Sequence, residues 1–155
     1  MIVLALASGS LALWQRGSRE RADLVVWCFS DSHLRAFKGD GTRPEIPPPV
    51  EVFQNETGKS VDVQLIANRA LNLRMSSIFM SNISSEIVPD LVTIEIWHVG
   101  KFFRPPVEQI GFLPLNDLLK EHGWHDRLIA ARLAPWSKDG VIFGVPNDVH
   151  PVSLT

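Results

Sequence analysis

Tyrosine is absent from this 155-residue chain, cysteine occurs once, and no stretch concentrates lysine and arginine. The single cysteine, Cys28, excludes an intrachain disulfide, so bridges say nothing about the redox compartment. Bulky Trp27 precedes it and charged residues separate it from the apolar N-terminus. It therefore reads as a buried strand thiol and not as a lipid-attachment site. With a net charge of −2 and a pI of about 6.2, the chain has no basic stripe for a polyanion, and no nucleic-acid partner is expected. The five histidines, His33, His98, His122, His125 and His150, match no zinc spacing, and His122 and His125 flank the helix-breaking Gly123. No Gly-x-Ser-x-Gly elbow supplies a hydrolase nucleophile. Gly58-Lys59-Ser60 has the ending of a phosphate loop, but Phe53 stands where that motif needs its first glycine, and helix-then-strand is the reverse of the required order. No metal, cofactor or catalytic residue is expected from these patterns, and the chain reads as non-enzymatic.

What is present is globular. Apolar residues make up 45% and charged residues 21%, over the length of one ordinary domain. Five tryptophans and eight phenylalanines suit core packing, and their faces also suit stacking on sugar rings. The first fourteen residues, MIVLALASGSLALW, are apolar or small, but a bilayer-spanning helix needs roughly 20. Together with the charged stretch Gln15 to Arg21, they are expected to form a signal peptide or membrane anchor plus linker (residues 1–21), which implies export. Residues 22–155 form the domain proper.

Along that domain, Ala22 to Ser30 is a nearly unbroken apolar, β-branched run, as in a strand buried on both faces. Asp31 to Pro49 is polar and then rich in glycine and proline, and reads as a loop ending at a helix start. Val50 to Glu56 reads as a helix stopped by Gly58, Val61 to Ile66 as an alternating strand, and Asn68 to Asn82 as an amphipathic helix. Pro89 to Ile96 reads as a third strand, Gly100 to Gly111 as turns, Asn116–Glu121 and Asp126–Leu133 as short helices, and Val141 to Val145 as a fourth strand. The order β-α-β-α-β-α-α-β predicts an α/β fold with a largely parallel, doubly wound sheet in which the first strand is central.

In such a sheet, ligands bind beyond the carboxyl ends of the strands. The residues that follow the four strands are Ser30, Asp31 and His33; Asn68; Glu95 and Trp97; and Asn147, Asp148 and His150. Any one of them is ordinary turn or cap chemistry. Together they predict a ring of hydrogen-bonding groups beside an aromatic face.

Five segments in order carry a resemblance: LVVWCFS, ETGKSVDVQLI, PDLVTIEI, FLPLNDLL and KDGVIFGVPNDV. From about Asp23 to Thr155 the chain resembles the N-terminal part of the bacterial extracellular solute-binding proteins that serve ABC importers of sugars. Phe143 stands where that group often has tyrosine, Glu95 where a shorter acid or amide is common, and the stretch 31–49 is longer than usual. The resemblance implies a type II periplasmic-binding-protein-like fold of which this chain carries the first lobe, with the second lobe missing. It also implies a carbohydrate held between two lobes by hinge closure, ABC-transporter permease subunits as partners, and a periplasmic or extracytoplasmic location, free or membrane-anchored. Another solute on the same fold (a peptide or an oxyanion), an enzyme on a related α/β scaffold, and a sensing domain stay open as alternatives.

Overall fold

The computed structural model describes residues 21–81 and 88–147. The N-terminal apolar segment, the end of the expected helix at Asn82, Asp148, His150 and the final apolar run lie outside the described residues.

The first strand, β1 (Leu24–Cys28), is central in a three-stranded parallel sheet of order β2-β1-β3, between β2 (Val61–Leu65) and the short β3 (Leu91–Val92). Its continuous apolar sequence fits that place. Successive side chains point to opposite faces, so a central strand covered on both sides needs an apolar residue at every position. Val25 and Trp27 join Ile66, Leu71, Met75 and Phe102 on one face, while Val26 and Cys28 join Val63 on the other. Helices cover both. Helices α1 (Asp31–Lys38) and α2 (Pro49–Thr57) send Leu34, Phe37 and Val50 onto the Cys28 face, and α3 (Asn68–Met80) and α4 (Ile96–Phe102) cover the Trp27 face. The connection from β1 to β2 and the one back past β1 to β3 thus lie on opposite faces, as right-handed crossovers in opposite directions require. The fold is mixed α/β with a parallel sheet, and β1 is central as expected.

Four local expectations need correction. The stretch 31–49 begins with α1 and not with a loop. Ser30 caps that helix by accepting the His33 N–H, Asp31 complements its first turn, and only Leu34 and Phe37 among its side chains are partly buried hydrophobics packed on the sheet. The third strand is two residues long, because Glu95 is already the N-cap residue of α4, which enters the region read as turns. The expected helix at Asp126–Leu133 splits into a 3-10 turn at His125–Arg127 and α6 (Ala130–Leu133), which follow α5 (Asn116–Glu121). The fourth strand does not join the main sheet. Val141–Ile142 (β5) pairs antiparallel with Ser137–Lys138 (β4) in a hairpin of its own. Asp139 and Gly140 at its tip both have positive φ, 50° and 82°, the geometry of a two-residue loop that matches strand twist.

Edge-to-face phenylalanines fill the space between α3, α4 and the segment before α5. Phe79, Phe102 and Phe112 lie 4.9 to 5.8 Å apart centroid to centroid, and Phe103 links Phe112 to Phe143. Lys138 Nζ ties the hairpin to the end of α4 by donating to Phe103 O at 2.9 Å and Pro105 O at 2.5 Å.

Candidate functional site

The carboxyl end of the parallel sheet gathers polar groups from three strands. Ser30 follows β1. Its hydroxyl accepts the His33 N–H at 3.2 Å and stands 2.9 Å from Ser32 Oγ. Asp31, on the outer side of the same turn, pairs with Arg35 at 2.8 Å in solvent, so its carboxylate serves α1. His33 is half-buried, with its ring edge-on to Phe29 at 4.7 Å and its Nδ1 3.2 Å from Thr93 Oγ1. Thr93 also accepts the Phe29 N–H at 3.3 Å, so one hydroxyl joins the end of β1 to the end of β3.

A second, tighter group lies at the ends of β2 and β3. Asn68 Nδ2 donates to Glu95 Oε2 at 2.5 Å, although the two residues are 27 apart in sequence. The Trp97 indole also lies near enough to the Glu95 carboxylate to stabilise its charge, and His98 Nε2 is 3.9 Å from it. The Trp97 indole, then donation from Asn68, with the His98 ring beside them, hold the Glu95 carboxyl below the usual glutamate range. Trp97 is nevertheless 78% exposed. The structure therefore presents an ionised acceptor and an open indole face at one place, a combination that suits ligand hydroxyls and an apolar ring face.

Of the sequence-predicted ring, Asn68, Glu95 and Trp97 are in contact, and Ser30 with His33 forms a neighbouring group through Thr93. Asp31 faces solvent with Arg35. Asn147 is exposed and lines a separate cavity. Asp148 and His150 lie outside the described residues. Sequence reading missed Thr93, His98 and Asn72. Asn72 is a polar residue on the buried face of α3, between Leu71 and Met75 and one turn beyond Asn68. That i,i+4 pair of asparagines was the available signal.

The cavity has a volume of about 430 Å³ and runs along the outer edge of β3. Leu91 through Ile94 form one wall, and Phe102, Phe103, Phe112, Trp136 and Phe143 supply an aromatic lining. Asp90, its one charged lining residue, is held by Arg21 at 2.9 Å and accepts the Val25 N–H at 2.8 Å. Among the described residues no group of three or more His, Cys, Asp or Glu side chains is placed to hold a metal ion, and no helix is long and apolar enough to cross a membrane.

Compared with models of protein families and with curated proteins, the chain finds no match.

Proposed function

We propose that this chain is the first lobe of an extracytoplasmic, periplasmic-binding-protein-like solute-binding subunit of an ABC importer, and that its ligand is a carbohydrate. One observation carries the reading. The carboxyl end of a parallel sheet joins Asn68, Glu95 and the exposed indole of Trp97 into one connected group. A sugar offers that group what it lacks: hydroxyl donors for the carboxylate and an apolar ring face for the indole. Hinge closure against a second lobe would exclude water and strengthen both contacts. Calorimetric titration of the chain with a panel of mono- and disaccharides tests this. Saturable heat with at least one sugar, lost in Trp97→Ala, is the expected result. Saturable binding of sulfate or phosphate and of no sugar would overturn it.

A second reading on the same scaffold has its own support. The apolar cavity beside β3 suits an uncharged, aromatic or peptide-like solute better than a sugar. An apolar tripeptide in the same panel separates the two, since its binding would be indifferent to Trp97→Ala and reduced by Phe103→Ala.

A further inference from the structure

Asn72 is the one polar side chain that is buried among the described residues, with 5% of its surface exposed. Its Nδ2 donates to the main-chain carbonyl of Asn68 at 2.9 Å and to Asn68 Oδ1 at 2.6 Å. A main-chain carbonyl can only accept, so the helix itself decides which way the Asn72 carboxamide faces. With the Asn72 NH2 on its oxygen, Asn68 must turn its own NH2 outward, and that group meets Glu95 Oε2. The chain Asn72 to Asn68 to Glu95 therefore has a fixed direction, and every bond in it runs toward the carboxylate.

The other end of this chain is unfavourable. Asn72 Oδ1 is buried, and among the described residues no group donates to it. The main-chain carbonyl of Asn72, by contrast, accepts from Ser76 Oγ at 2.8 Å and lies 3.4 Å from Lys101 Nζ. An unpaired buried acceptor destabilises a fold, and a leucine at this place, between Leu71 and Met75, would avoid it. What the asparagine supplies in its place is the pair of bonds to Asn68.

We propose that Asn72 is a positioning residue that holds the Asn68 carboxamide on Glu95, so that the site keeps a fixed carboxylate acceptor that takes ligands that donate hydrogen bonds, namely neutral polyols, and rejects anions. This deepens, and rests on, the reading of the carboxyl rim as a solute site. The groups facing Glu95 are Asn68 from α3 and Trp97 and His98 from α4. If Asn72 loses its donor, Asn68 Oδ1 loses its partner, the Asn68 NH2 is held by Glu95 alone, and its place on the carboxylate loosens.

The test needs no ligand. The Glu95 carboxyl is titrated by NMR in the 155-residue chain and in Asn72→Leu, Asn68→Leu and the double variant, with thermal midpoints measured alongside. The expected result has three parts. Asn72→Leu raises the Glu95 titration midpoint toward the ordinary glutamate value. It leaves the thermal midpoint unchanged or higher. Adding it to Asn68→Leu moves Glu95 no further, because it acts through Asn68. A Glu95 midpoint that does not respond to Asn72→Leu, or an additive double variant, would overturn the proposal. Asn72→Ala serves if the leucine does not fit, and unfolding of both would show a structural residue and equally overturn it. A panel in which no sugar binds, with the Glu95 response intact, would remove the solute reading while leaving the positioning role standing.

Discussion

A single carboxamide ties the hairpin to the start of α5. Asn116 Nδ2 donates to Gly140 O at 2.9 Å, and its Oδ1 accepts the Ile142 N–H at 2.9 Å. Both partners are main-chain groups, so removing the side chain strands a donor and an acceptor together. Asn116→Ala is expected to lower stability by about 2 kcal/mol, read as a fall in the urea midpoint, and an unchanged midpoint would show that water replaces both bonds. Charge acts at the same scale. The Asp23 carboxylate accepts from the Ser60 N–H and then from the Ser60 hydroxyl, each at 2.8 Å, which holds its pKa below the ordinary 3.8. A carboxyl depressed in the folded state adds stability that is complete above its unfolded pKa and is lost as pH falls through its folded one. Wild type should therefore exceed Asp23→Asn in thermal midpoint at neutral pH, and the gap should close below about pH 4. A gap that widens on acidification would contradict that origin. Not all of these roles were legible. Glu95 and Asn68 declared themselves because each follows an alternating or apolar run. Asn72 did not, because a polar residue inside a helical stretch is read as solvent-facing until its neighbours in space are known.

Elements follow the same division. β1 was legible because an unbroken run such as LVVWC suits few places other than the middle of a parallel sheet. α1 was not. Six of its eight residues lie outside the partly buried set that packs on the sheet, and the helix depends on the Ser30 cap and on two side chains, Leu34 and Phe37, meeting the Val26 face. Ser30→Ala is expected to weaken this helix by about 1 kcal/mol. The hairpin at 137–142 was half legible: Asp139-Gly140 is a strong two-residue loop signal, but the apolar run after it invited a longer strand in the main sheet. Packing between elements sets a sharper test. A Cβ on Gly111 would come within 2.5 Å of Phe79 Cε1, inside the edge-to-face group, whereas a Cβ on Gly100 in α4 meets nothing within 4 Å. Gly111→Ala should cost about 1–3 kcal/mol through overpacking, and Gly100→Ala should stabilise by about 0.5–1 kcal/mol through helix propensity. Denaturant midpoints in the opposite order would mean that the phenylalanine group yields more easily than its packing implies.

At the scale of the molecule, the central place of β1 and the two helix layers follow from chain order and handedness, which is why they could be read in advance. The sorting of rim residues could not, since it depends on how short β3 is. Two ladder residues bring Glu95 directly into a helix start, swing Trp97 into solvent and leave Thr93 to join β1 to β3. The same short strand leaves its outer edge beside an aromatic cavity of about 430 Å³. Two chemically different surfaces thus adjoin one strand, a polar rim with an indole and an apolar trough. The measurement that separates them most directly follows the indole N–H resonances of the five tryptophans in a nitrogen-15-labelled chain while a sugar panel is added, in wild type and in Glu95→Gln. The Trp97 resonance, assigned through Trp97→Phe, should move saturably with at least one sugar, while Trp124 and Trp136 stay still, and the movement should be largely lost in Glu95→Gln. A Trp97 resonance that ignores every sugar, or moves equally in Glu95→Gln, would contradict a carbohydrate site at this rim.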